Sequence, residues 1–220
     1  MYSVVITFLL FILYSFAGWI IEVFNCIIRH HKFVNRGFLI GPLCPIYGFA
    51  GLAAAGILGR YEHDPIALFF SSIALFSVLE YFTSFIMEKL FHARWWDYSY
   101  MHFNINGRIC LETMIPFGLL GVVVASVINP IVIGFLQAIP AIIAYVAFAI
   151  LVIVFIADII TSLIIIVKYG KTVNHLYPDS TEEINRIIRT KFLEGNILKR
   201  RLIKAFPTAS PSPKKPKIKS

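Results

Sequence analysis

Apolar positions gather into five long runs, at about 3–28, 42–59, 66–90, 110–128 and 140–167, separated by short polar stretches. A helix needs about 20 apolar residues to cross the hydrocarbon layer of a bilayer. The pattern therefore predicts an all-α, polytopic transmembrane helix bundle of about five spans within residues 1–170. The first run has a cleavage-like Ser15-Phe16-Ala17, but it lacks a basic leading stretch and stays apolar to Ile28, so it reads as a retained span. Segment 130–139 lies between Pro130 and Pro140 and is too short to cross. It reads either as a half-helix at the interface or as the start of a fifth helix kinked at Pro140.

Beyond Lys168 the pattern changes. Ser180-Thr181-Glu182-Glu183 fits a capping box, and Ile184, Ile187, Ile188 and Phe192 follow at helical spacing beside Arg186, Arg189 and Lys191. Residues 171–206 thus read as a basic amphipathic helix on a membrane surface or a partner, and 207–220, rich in Pro, Ser and Lys, as a disordered basic tail.

Composition agrees with a bilayer solvent. Hydrophobic residues make up 58% and charged residues 15% of the 220, with mean hydropathy +0.78; soluble domains carry about a quarter charged residues. The net charge of +8 is segregated, because residues 1–167 hold 7 Lys/Arg against 8 Asp/Glu and residues 168–220 hold 13 against 4. The first loop carries Arg29, Lys32 and Arg36 without an acid, and the third carries Arg94 and Arg108. By the positive-inside rule these loops and the tail are expected in the cytoplasm, giving an N-out/C-in multi-pass protein of the cell (plasma) membrane. The basic tail suits anionic lipid headgroups; no nucleic-acid partner is expected, since no binding module is present. Cys26, Cys44 and Cys110 form no CxxC pair and are expected as free thiols.

The chemistry concentrates at the inner side. In Asn35-Arg36-Gly37-Phe38-Leu39-Ile40-Gly41-Pro42-Leu43-Cys44-Pro45-Ile46-Tyr47-Gly48, the residues before each proline avoid the α region, so the helix is expected to start near Pro45. Residues 38–44 then enter the membrane as irregular backbone, either lining a wet cavity or forming a packed kink. Glu22, Glu80, Glu112 and Asp158 are acids within spans, costly in lipid and expected to face the interior. With Arg36, Arg94 and Arg108 and the starts of the second and fourth helices, they describe a polar vestibule open to the cytoplasm, or alternatively charges that merely pair and hold the bundle together. Trp95, Trp96, Asp97 and Tyr98 read as an interfacial belt or a lid over it. Glu22, Cys26 and His30 share a helix face but lack a fourth ligand, so no metal or cofactor is expected. No Walker A, HExxH, GxSxG or GxGxxG pattern occurs, so the chain itself is not expected to be an enzyme that hydrolyses a nucleotide.

Gly18-Trp19-Ile20-Ile21-Glu22, the Asn35–Gly48 string, Leu79-Glu80-Tyr81, Trp95–Ser99 and Asn106-Gly107-Arg108-Ile109-Cys110 resemble the bacterial Putative ABC transporter type IV (CmpB-like) membrane family over roughly residues 10–125. The resemblance implies a permease subunit. At its motif positions stand Glu22, Asn35, Arg36, Tyr47, Glu80, Trp96, Asp97 and Arg108, which with Glu112 are the candidate substrate-binding residues, and Gly41, Pro42, Pro45, Gly48 and Gly107 as structural residues. The expected function is a transporter permease-like subunit served by a separate ATPase or working as a homo-oligomer, with Arg36 and Arg108 holding an anionic group and Glu22 and Glu80 carrying protons or balancing charge. A protein that binds or processes lipid headgroups and a non-catalytic assembly or regulatory subunit remain the alternatives.

Overall fold

The computed structural model describes residues 2–31, 33–91, 93–175, 200–201, 204–205 and 210–211, and the statements below refer to these. Its helices are α1 (Tyr2–His30), α2 (Pro45–Gly56), a 3-10 turn (Leu58–Tyr61), α3 (Pro65–Phe91), α4 (Leu111–Val123), a π turn (Val124–Ile128), α5 (Asn129–Ala138) and α6 (Ala141–His175). Two-residue strands β1 (Ala93–Arg94), β2 (Asn104–Ile105), β3 (Ile109–Cys110) and β4 (Ser210–Pro211) pair antiparallel as β1–β4 and β2–β3. Most of the predicted 171–206 helix and nearly all of 207–220 lie outside the described residues.

Four stretches are long and apolar enough to cross a membrane: Tyr2–Ile28, Pro65–Phe91, Leu111–Ala138 and Ala141–Val167. The run at 42–59 gives only the 12 residues of α2, about 18 Å of helix. That is shorter than a crossing needs, so four stretches rather than the five expected are long and apolar enough to span; α2 lies antiparallel on α1, with Tyr47 against Gly18, Gly48 against Ser15 and Phe11, and Gly51 against Tyr14.

Segment 130–139 behaves as neither expectation proposed. It continues the fourth run as α5, and the turn to α6 is only Ile139-Pro140. Proline lacks the amide hydrogen and crowds the carbonyl four residues back, which breaks an α-helix. Here the break is absorbed by the π turn: the Asn129 amide donates to the Val124 carbonyl five residues earlier, and Pro130 follows in the first turn of α5.

Small residues set the helix spacing, as expected where lipid gives no hydrophobic drive between helices. Gly48 and Gly51 let α2 sit on α1, and Gly118 and Gly121 let α4 sit on Phe69, Ser72 and Phe76 of α3. An apolar core of Val5, Leu9, Leu10, Ala54, Leu58, Leu68, Phe76, Val124, Leu136 and Ala144 fills the half of the bundle away from residues 31–44. A Cβ at Gly51 would run into the Tyr14 ring, whereas one at Gly56 meets nothing within 4 Å. Gly51→Ala is therefore expected to cost about 1–3 kcal/mol in a mixed-micelle unfolding titration, the usual range for overpacking. Gly56→Ala will stay within about 0.5 kcal/mol of the parent. Equal effects at the two sites would contradict the close approach of α1 and α2.

Candidate functional site

The C-terminal ends of α1 and α3, the loop residues 33–44 and 93–110, and the middle of α6 at Asp158 and Ser162 meet in one part of the bundle. Phe38 of the first loop packs on Phe91 and on Trp95 of the second, at ring-centroid distances of 5.7 and 6.3 Å. Three polar networks occupy this part.

The first holds the irregular segment. Cys44 is extended and precedes α2, which starts at Pro45 as the sequence predicts. Pro42 is exposed beside a tight turn in which the Leu43 amide donates to the Gly41 carbonyl at 2.9 Å. The amides of Ile40 and Gly41 donate to Asp158 Oδ1 and Oδ2 at 2.9 and 3.0 Å, and Ile40 shares its hydrogen with Ser162 Oγ at 2.9 Å. A Cβ on Gly41 would lie 2.5 Å from Asp158 Oδ2, so this close approach requires glycine. Asn35 ties the loop to itself and to α1: its Nδ2 donates to the Ile40 carbonyl at 2.8 Å, and its Oδ1 accepts from Trp19 Nε1 at 2.7 Å. From the other side Arg201 Nη2 donates to Asn35 Oδ1, the Gly37 carbonyl and the Leu39 carbonyl. Irregular backbone is thus protein-satisfied, the condition for its survival at membrane depth.

The second network joins carboxylates and tyrosines. Tyr47 donates to Glu22 Oε1 at 2.8 Å, and Arg36 Nε lies 3.7 Å from Glu22 Oε2. Tyr98 donates to Glu80 Oε1 at 3.2 Å. Burial, then the Glu80 carboxylate, hold the Tyr98 hydroxyl well above its ordinary range, so it remains a donor. Glu22 and Glu80 lie within electrostatic reach of each other. Glu80 is only 8% exposed, and its Oε2 has no hydrogen-bond partner among the described residues.

The third network is built on Glu88, whose Oε2 receives Arg108 Nη2 at 2.8 Å and Arg94 Nε at 3.1 Å. Arg108 also donates to Ser84 Oγ at 3.1 Å and lies over the rings of Tyr81 and Phe85, at 5.6 and 5.4 Å. Arg94 reaches Asp97 at 3.7 Å. The loop that carries these groups turns at Asn106-Gly107, both with positive φ (53° and 67°), the pairing that a tight hairpin demands. The Gly107 carbonyl accepts the Tyr98 amide at 2.8 Å, and Trp96 Nε1 donates to the Arg108 carbonyl at 3.2 Å.

Of the predicted site residues, Glu22, Arg36 and Tyr47 come together, Glu80 lies within their electrostatic reach, and Gly48 lies where α2 meets α1. Asn35 and Gly41 belong to the loop clamp, and Trp96, Asp97, Gly107 and Arg108 to the third network. Arg108 is committed to Glu88 and nearly buried. Glu112, in the first turn of α4, is exposed and joins none of the three networks. The pattern did not single out Glu88, Ser84, Ser162 or Arg201. Glu88 was findable, because Glu80, Ser84 and Glu88 stand at i, i+4 and i+8 on one face of α3. Cys26, Cys44 and Cys110 are free and buried.

The family model described as Putative ABC-transporter type IV matches residues 9–163. The match runs past the 10–125 expected from the motifs and takes in Asp158 and Ser162; Arg201 lies beyond it. No curated protein and no solved structure matches the chain.

Proposed function

Because the chain belongs to the Putative ABC-transporter type IV family, we propose that this membrane transporter-like protein is a permease-like subunit whose substrate site is the Glu22, Tyr47, Glu80 and Tyr98 cluster. The reading rests on Glu80 Oε2, a buried carboxylate oxygen that has no hydrogen-bond donor among the described residues and lies within electrostatic reach of the Glu22 carboxylate. Leaving such an atom unpartnered costs about 1–3 kcal/mol or more. A cationic group entering from the loop end would supply the missing donor and offset the charge of the two acids. An anionic substrate would instead require Arg36 and Arg108 to leave Glu22 and Glu88.

Arg36, Arg94 and Arg108 belong to the end that carries the site, and by the positive-inside rule we assign that end to the cytoplasmic side of the plasma membrane. The chain carries no nucleotide-binding motif, so the energy for transport comes from a separate ATPase subunit. Mild-detergent purification of the tagged chain from its native membrane is expected to bring down an ATPase; repeated recovery without one removes the ATP-driven version. In proteoliposomes holding the complex, labelled amines are expected to be taken up. Glu80→Gln, which keeps the acceptor for Tyr98 but removes the charge, will lower that uptake at least tenfold at equal membrane level. Unchanged uptake in this variant would place the site elsewhere.

A further inference from the structure

Residues 200–201 and 204–205 lie against the loop that follows α1. Phe33, Val34 and Asn35 on one side and Arg200, Arg201 and Lys204 on the other line a groove of about 320 Å³. That volume suits a small ligand or a headgroup. We propose that this groove binds the headgroup phosphate of an anionic phospholipid, with the acyl chains running along the apolar face of α1.

Three observations carry the assignment. The groove is held in shape, because Arg201 donates to the carbonyls of Gly37 and Leu39 and to Asn35, and Ala205 is fully buried. The groove is positive, because the hydrogen-bond partners of Arg201 are neutral oxygens. Lys204 is exposed, and neither Arg201 nor Lys204 forms an ion pair among the described residues. Asp158 acts on Arg201 only at longer range.

The third observation separates a lipid from a free anion. Phe33 is 69% exposed, and Phe24 and Ile28, one turn apart on the last turns of α1, are also exposed. Apolar side chains are thus exposed both on the last turns of a membrane-spanning helix and, at Phe33, on the wall of the basic groove. A dissolved phosphate gains nothing from these apolar groups, whereas a phospholipid uses both parts. The inference needs no transport activity and stands apart from the Glu22–Glu80 site.

The test uses the delipidated full chain in detergent, titrated with phosphatidylglycerol, phosphatidylcholine or inorganic phosphate and read by native mass spectrometry. Phosphatidylglycerol is expected to bind saturably and more tightly than phosphatidylcholine. Each of Arg200→Gln and Lys204→Gln will weaken it roughly fivefold, the usual worth of one basic residue near an anionic headgroup. Phe33→Ser will weaken both lipids. These variants leave Arg201 in place, and an unchanged thermal midpoint verifies the fold; if Arg200→Gln unfolds, Lys204→Gln and Phe33→Ser carry the comparison. Equal retention of the two lipids, or phosphatidylglycerol retention unmoved by the substitutions, would overturn the proposal. So would displacement of phosphatidylglycerol by inorganic phosphate at matched concentration, which would make the groove a site for small anions.

Discussion

Glu88→Ala will destabilise the bundle by about 3–5 kcal/mol, the range for removing one partner from a buried charge network. One oxygen of Glu88 serves both Arg94 and Arg108, and the Arg108 and Glu88 side chains are only 9% and 12% exposed. Without the carboxylate, Arg108 keeps Ser84 and two aromatic faces but no ion-pair partner among the described residues, and Arg94 keeps Asp97 at 3.7 Å. The two guanidinium groups would then repel across the gap. Glu88→Gln retains the acceptor and will recover part of the loss. The double variant Glu88→Ala/Arg108→Met will recover more, since replacing a buried ion pair by apolar groups is often close to neutral. Unfolding in mixed micelles reads all three. A loss below about 1 kcal/mol for Glu88→Ala, the worth of an exposed pair, would mean that water reaches this network freely.

Asp158→Ala is expected to cost about 3 kcal/mol, because the Gly41 amide loses its acceptor and the Ile40 amide keeps only Ser162. The damage should be local before it is global. Hydrogen exchange at the amides of Ile40 and Gly41 will accelerate well ahead of exchange in α1 and α3. Asp158→Asn keeps one carbonyl oxygen and will lose about half as much. If exchange at residues 40–41 is unchanged in Asp158→Ala, the carboxylate does not hold the loop.

These two residues also show what the pattern of residues discloses and what it hides. Apolar run lengths sufficed for the four long helical stretches, and the Gly41-Pro42 and Cys44-Pro45 pairs marked where backbone must leave the helix, so the start of α2 at Pro45 was legible. Asp158 was legible as an acid in a span but its partners were not, because a contact across 117 residues leaves no local signature. Pro130 misled for a physical reason: a proline marks a break only if the helix cannot make room, and the π turn makes room. Arg36 and Arg108 lie at the same end of the bundle, each against an acid, Glu22 and Glu88. Whether an arginine is free to bind a ligand, however, depends on neighbours such as Glu88 that the sequence gives no reason to pair with it.

The π turn has a further consequence for everything after it. One surplus residue in a helix turns the remainder by about 100° relative to an uninterrupted α-helix. Here that phase shift brings Asn129 to accept a hydrogen bond from the Tyr14 hydroxyl and leaves Leu136 buried in the core. Deleting a single residue from 124–128 would keep the length of the crossing almost intact yet rotate both side chains off α1. In this stretch the reading frame of the helix, rather than its hydrophobicity, decides which faces meet.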